Sequence, residues 1–125
     1  MATQTSRSGA LRTESLTGLH WAGIVLAAIT GVLHLGLGAS FVSGSLGSPL
    51  GWSFIVAGVG FLVAIVAILL DYRRRLLYLL GIPFTAGQIV LWAVLNAPDF
   101  SPPGIADKVV QALLVVVLIV LYRQS

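Results

Sequence analysis

The chain has no cysteine, a single methionine and only four acidic residues. Without thiols it can form no disulfide, no thiolate nucleophile and no cysteine-ligated iron–sulfur cluster. Charge of either sign is scarce, because Asp, Glu, Lys and Arg make up 9% of the 125 residues against 58% hydrophobic ones. Alternation is missing as well: no apolar run has the two-residue period of a membrane β-barrel strand. Nor does a polar stripe of the kind found in soluble helix bundles interrupt residues 51–70. What the chain does have is apolar length. Its mean hydropathy of +1.02 lies far outside the soluble range and marks an integral membrane protein. At this length there is room for about four spans of roughly 20 residues with short loops, and none for a second, soluble domain.

Residues 1–15, MATQTSRSGALRTES, are polar, carry Arg7 and Arg12, and read as a mobile cytoplasmic tail. Residues 16–125 then form one transmembrane domain, with spans expected at about 17–38, 51–70, 76–95 and 105–122. A secretory signal peptide would account for the small residues Gly38, Ala39 and Ser40, but the run before them is about 20 residues, longer than a signal core. GASFVSGSLGSPLG reads as an irregular connection, DYRRR ends the second run with charges that must leave hydrocarbon, and the prolines of NAPDFSPPG end the third. The fourth run is uninterrupted only from Val109 and contains Gln111. It reaches about 27 Å at the helical rise and spans with its first turn at the interface, where Lys108 snorkels its amine to the headgroups. The expected fold class is all-α, an integral-membrane four-helix bundle running up-down-up-down.

Arg7, Arg12, Arg73, Arg74, Arg75 and Arg123 fall on one side of that arrangement and Lys108 alone on the other. The positive-inside rule therefore places both termini and the 71–75 turn in the cytoplasm of a multi-pass cell-membrane protein. Trp21, Trp52, Tyr72, Tyr78, Trp92 and Tyr122 lie near span ends, where amphipathic rings suit the headgroup level.

No Asp, Glu, Lys or Arg is expected in the interior of a span, which removes the ionisable group that ion-coupled transport usually needs. Small four-helix multidrug exporters are similar in size alone, since they use a carboxylate in the first span and residues 19–37 offer none. The polar groups left inside are His20, Thr30, His34, Thr85, Gln88 and Gln111, together with Pro83, which should kink the third helix. Gly81, Thr85, Gln88 and Trp92 share one face of that helix. Thr85 and Gln88 either line a small polar pocket or, the favoured reading, Gln88 and Gln111 bond across helices as glue. Small residues run in stripes, Gly23, Ala27 and Gly31 in the first helix and Ala57, Gly60, Ala64 and Ala67 in the second. Such spacing allows close packing within the chain or between protomers.

His20 and His34 are the only histidines. Their spacing leaves the imidazoles about 40° apart on one face and roughly 21 Å apart along the axis, which suits two stacked haems. It resembles the paired histidines of b-type cytochrome helices, a resemblance that implies haem b and a second axial histidine for each haem from another helix. This chain supplies none, so the haem alternative needs a symmetric dimer or single-histidine ligation. The favoured reading is two structural histidines near the membrane interfaces.

The stretches DYRRRLLYLLGIPFTAGQIVLW and DKVVQALLVVVLIVLYR resemble small four-span membrane proteins of halophilic archaea that form a family of unknown function. The resemblance implies a plasma-membrane location in such a cell and carries no activity or catalytic residue with it. A non-enzymatic accessory or assembly partner is the expected function. The alternatives are a dimeric haem b electron carrier on His20 and His34, and an oligomeric small-solute carrier or pore on the Thr85 and Gln88 face. No catalytic residue and no metal cluster is expected. The partners implied are the lipid bilayer and a second copy or a larger membrane complex, not nucleic acid.

Overall fold

A computed structural model describes residues 13–125. The expected tail, residues 1–15, lies outside the described residues as far as position 12. Four helices make up the fold: α1 (Gly18–Gly44), α2 (Pro49–Leu69), α3 (Arg74–Asn96) and α4 (Pro102–Gln124), with no strand among the described residues. All four are long and apolar enough to cross a membrane, and large apolar side chains such as Val25, Val56, Val94 and Val116 stand on the outside. The arrangement fits a multi-pass membrane protein.

The helix starts have local chemical causes. Ser48 and Ser101 accept hydrogen bonds from the backbone N–H groups of Gly51 and Gly104, at 3.0 and 3.3 Å, and each is followed by proline at the first helical position. Thr17 caps α1 in a reciprocal box in which His20 stands where Glu or Gln is usual, its Nδ1 accepting the Thr17 N–H at 3.1 Å. The α2–α3 turn is tight because Asp71 and Arg73 both take the left-handed conformation, φ 56° and 48°.

The helices run past the expected boundaries, most clearly at α1, which continues six residues beyond position 38 to Gly44. Packing holds the glycine- and serine-rich end helical. The Phe41 ring meets that of Phe54 at 5.5 Å, and a methyl group at Gly38 would lie 2.8 Å from the Gly51 carbonyl oxygen. Gly31 and Gly58 repeat this close approach two turns away, since a methyl at Gly58 would lie 2.8 Å from the Gly31 carbonyl oxygen. The register 31/58 and 38/51 shows α1 and α2 antiparallel in backbone contact. Helix α4 lies antiparallel to both α1 and α3, whereas α2 and α3 meet at few points, so the bundle is closed on three sides and loose along its α2–α3 seam.

One end of the bundle is basic. Arg74 donates to Ser15 Oγ at 2.6 Å, and Arg75 donates to the Ser125 carbonyl at 2.7 Å while its guanidinium lies over the Tyr122 ring. The start of α1, the end of α4 and the 71–75 turn therefore share this end. The apolar core, made by Ala27, Phe61, Tyr78, Leu114, Leu118 and Leu121, occupies the half of the bundle nearest to it.

Candidate functional site

The seam of α4 is a heptad stripe whose character changes half way along. Its buried residues are Asp107, Gln111, Leu114, Leu118 and Leu121, spaced four, three, four and three, so all face the neighbouring helices. The three leucines meet the apolar core. Asp107 and Gln111 meet the polar residues of α1 and α3, and together they build a layer in the half of the bundle remote from the arginines.

Bonds run through this layer without a break. Thr30 donates its hydroxyl to Asp107 Oδ1 at 2.8 Å, and Lys108 Nζ lies 2.8 Å from Asp107 Oδ2. Lys108 also donates to Gln111 Oε1 at 2.9 Å. The Gln111 amide nitrogen donates to Thr30 Oγ1 at 3.1 Å and to Gln88 Oε1 at 2.9 Å, and Gln88 donates in turn to the Phe84 carbonyl at 3.1 Å. One turn beyond Thr30, His34 lies with Nδ1 2.7 Å from the Thr30 carbonyl oxygen. A carbonyl only accepts, so Nδ1 carries the proton. Each polar atom of the Asp107–Lys108–Gln111–Thr30 set thus has a partner, the condition under which a charge pair is tolerated in a low-dielectric interior.

This arrangement corrects the reading of the fourth span. Asp107 is 5% exposed and the Lys108 side chain 11%, so both groups are turned into the bundle rather than outward from it. The start of α4 at Pro102, three residues before the expected 105, places Asp107 a full turn inside the helix. Its spacing of four from Gln111 was the available signal, because it puts the two on one face. Gln88 and Gln111 are brought together, as glue requires. Thr85 is buried one turn away and takes no part in the network.

The two histidines serve different local structures. His20 belongs to the α1 cap, and because its Nδ1 accepts from the Thr17 backbone, the proton of the neutral ring sits on Nε2. His34 is buried with its ring centroid 5.1 Å from that of Phe54 and 5.9 Å from that of Phe61. The small-residue face between them is occupied. Gly31 faces Phe61 and Leu62 of α2, Gly23 faces Val117 of α4, and Ala27 is in the core. In α2 the close approach to α1 is made by Gly51 and Gly58, whereas Gly60 faces the Phe84 ring across the α2–α3 seam and Ala57 and Ala64 border the spaces along that seam.

Two spaces lie along the seam among the described residues. The outer one is a shallow groove bordered by Trp52, Ala57, Phe84 and Gln88. The inner one is a cavity of about 60 Å³ reached by all four helices, with His20 toward the basic end, Thr85 at mid-bundle and Tyr78 between them. The Tyr78 and Thr85 hydroxyls, on residues 2% and 0% exposed, have no hydrogen-bond partner among the described residues. No group of three or more His, Asp or Glu side chains able to hold a metal ion comes together among those residues.

A family described as "Family of unknown function (DUF7475)" matches residues 5–122. No curated protein and no solved structure matches the chain.

Proposed function

Since the chain belongs to DUF7475, a family of unknown function, we propose from its geometry alone that it is a non-enzymatic membrane protein acting as an accessory or assembly partner in a larger membrane complex. The observation that carries this reading is the satisfied polar layer. A transport or catalytic centre presents ligands to a substrate, whereas Asp107, Lys108, Gln111 and Thr30 bond to one another. What the bundle leaves unfinished is its loose α2–α3 seam, on the lipid side, where a partner helix is accommodated without disturbing the layer. In this reading the basic end is cytoplasmic, and the likeness to proteins of halophilic archaea adds a plasma-membrane location in such a cell.

The haem alternative is the weaker one on chemical grounds. A His20 ring protonated at Nε2 offers no lone pair there, and the face between the histidines is filled by Phe61, Leu62 and Val117. The carrier or pore alternative loses Gln88, whose amide is engaged by Gln111 and the Phe84 carbonyl.

Mild-detergent extraction of the tagged full chain from its native membranes tests the proposal. Co-purification of another membrane protein at fixed stoichiometry, kept through size-exclusion chromatography, is the expected result. Isolation of the chain only as a monomer or homo-oligomer would overturn it.

A further inference from the structure

We infer that the inner cavity seats a phospholipid: one hydrocarbon chain lies in it, admitted sideways between α2 and α3, and the anionic headgroup rests at the arginine-rich turn. The site uses the half of the α2–α3 seam nearest the basic end and does not depend on a partner protein. It rests first on how the cavity is walled. Its floor is buried, with Ala27 of α1 and Leu114, Leu118 and Leu121 of α4. On its flanks, Gly60, Ala64 and Ile68 of α2 and Leu77 and Gly81 of α3 are only half-buried. These two helices are the pair that meets at few points. The lining therefore grows more exposed toward the α2–α3 seam, the side that faces lipid.

Chemistry and size are the second support. The wall is almost wholly apolar, so water gains no hydrogen bond by entering. Hydrocarbon lies along the seam, and a chain that fills the space recovers the dispersion contacts that an empty cavity forfeits. The volume of about 60 Å³ falls well short of the roughly 150 Å³ that admits a benzene ring, which leaves a single linear chain. The lining extends over residues 60–68 of α2 and 77–85 of α3, about 12 Å along each axis at the helical rise. That is the direction in which the chains of the adjoining leaflet run. Toward mid-bundle the Phe84 ring reaches across the seam to Gly60, where a methyl group would meet it at 3.2 Å, and ends the crevice.

The charge beside it is the third. Leu77, at the outer end of the lining, is one turn from Arg73, whose carbonyl accepts its N–H at 3.0 Å. Arg73, Arg74, Arg75 and Arg123 share this end of the bundle with two acidic side chains, Glu14 and Asp71, among the described residues. Arg73 is exposed, its guanidinium 5.5 Å from the centroid of the Tyr72 ring. A phosphate is thus attracted to the level at which a chain in the crevice emerges, and a headgroup of net negative charge is favoured over a neutral one.

Photocrosslinking tests the site. The full chain is reconstituted in phosphatidylcholine nanodiscs with a trace of phosphatidylglycerol that carries a diazirine midway along one chain, and after irradiation peptide mass spectrometry locates the attached lipid. Leu118 is buried beneath the crevice, whereas Val116 of the same helix is exposed on the outside. Leu118 therefore reports a chain inside and Val116 the surrounding lipid. Both should carry label in the native chain. Replacing half of the matrix with unlabelled phosphatidylglycerol should lower the Leu118 label about fivefold and leave the Val116 label unchanged, and in Arg73→Gln the fall should be less than about twofold. Ala64→Leu, which fills the crevice, should remove the Leu118 label alone. An unlabelled Leu118 in the native chain, a Leu118 label that survives Ala64→Leu, one that the anionic lipid lowers no more than the Val116 label, or a fall unchanged in Arg73→Gln would each overturn the inference. Should Ala64→Leu fail to fold, as judged by gel filtration, Ile68→Phe at the outer end of the crevice gives the same reading.

Discussion

Gln111 sits where three helices meet, bonded to Thr30 of α1, Gln88 of α3 and Lys108 of its own helix. Gln88 lies at the margin of the layer, with one interhelical bond. The two glutamines are the same residue type at similar depth, so their replacement by leucine compares position and not chemistry. Gln111→Leu leaves the Gln88 carbonyl without its donor and removes one bond each from Lys108 and Thr30, which keep Asp107, and should cost about 1–3 kcal/mol. Gln88→Leu frees only one Gln111 amide hydrogen and should cost about 0.5–1 kcal/mol, in line with interhelical bonds in membranes. Thermal unfolding of both variants in one detergent checks the ranking, and a Gln88→Leu protein less stable than Gln111→Leu would contradict the central place given to Gln111. At this scale the sequence was legible for the Gln88–Gln111 pair, because two amides in apolar helices have little else to bond. It was not legible for Asp107, which adjoins Lys108 near a helix start, where hydropathy cannot tell a solvated pair from an inward one. For His20 the sequence favoured a structural residue near a span end without saying which structure, and the TGLH pattern becomes a cap only once the helix start is fixed at Gly18.

The contact between α1 and α2 is governed by glycines seven residues apart on each helix, 31 and 38 against 58 and 51. Three- and four-residue spacing draws the eye to Ala57, Gly60 and Ala64, which lie on the α2–α3 side. The seven-residue spacing is the one that brings backbones together, since it keeps both glycines on one line of an antiparallel pair. Gly38→Ala forces a methyl to within 2.8 Å of a backbone oxygen, where no side chain can give way, and should cost about 1–3 kcal/mol. Gly36→Ala, two residues earlier with nothing within 4 Å, should be neutral or stabilise by up to about 1 kcal/mol through helix propensity. Denaturation of the two variants by the same detergent titration separates packing from propensity. Equal effects would mean that the helices are not in backbone contact at Gly38. The presence and order of the helices were readable because each apolar run is long enough for one span. Their ends were less so, as the glycines and serines after position 38 are weak helix formers held in place by Phe54, Gly51 and Ile55.

Across the whole molecule polarity is distributed unevenly, with arginines outside the bundle at one end, a leucine-lined interior next to them, and an ion pair with amides inside the opposite half. Fusion reporters at Ser125 and within the 71–75 turn should fall on one side of the membrane, the cytoplasmic side by the positive-inside rule, and a reporter at Ser45 on the other. A cytoplasmic reading at Ser45 would be incompatible with four spans. This asymmetry also bears on how the chain is made. Residues 109–122 of α4, with Gln111 as their one polar interruption, give roughly 21 Å of apolar length against a hydrocarbon layer of about 30 Å, so the turn carrying Asp107 and Lys108 has to supply the rest of the span. In the bundle that turn is accommodated because Asp107 and Gln111 bond to Thr30 and Gln88. The fourth helix is thus received by the first and third, and a chain without α1 would be expected to leave α4 lodged shallow, its ion pair in the headgroups.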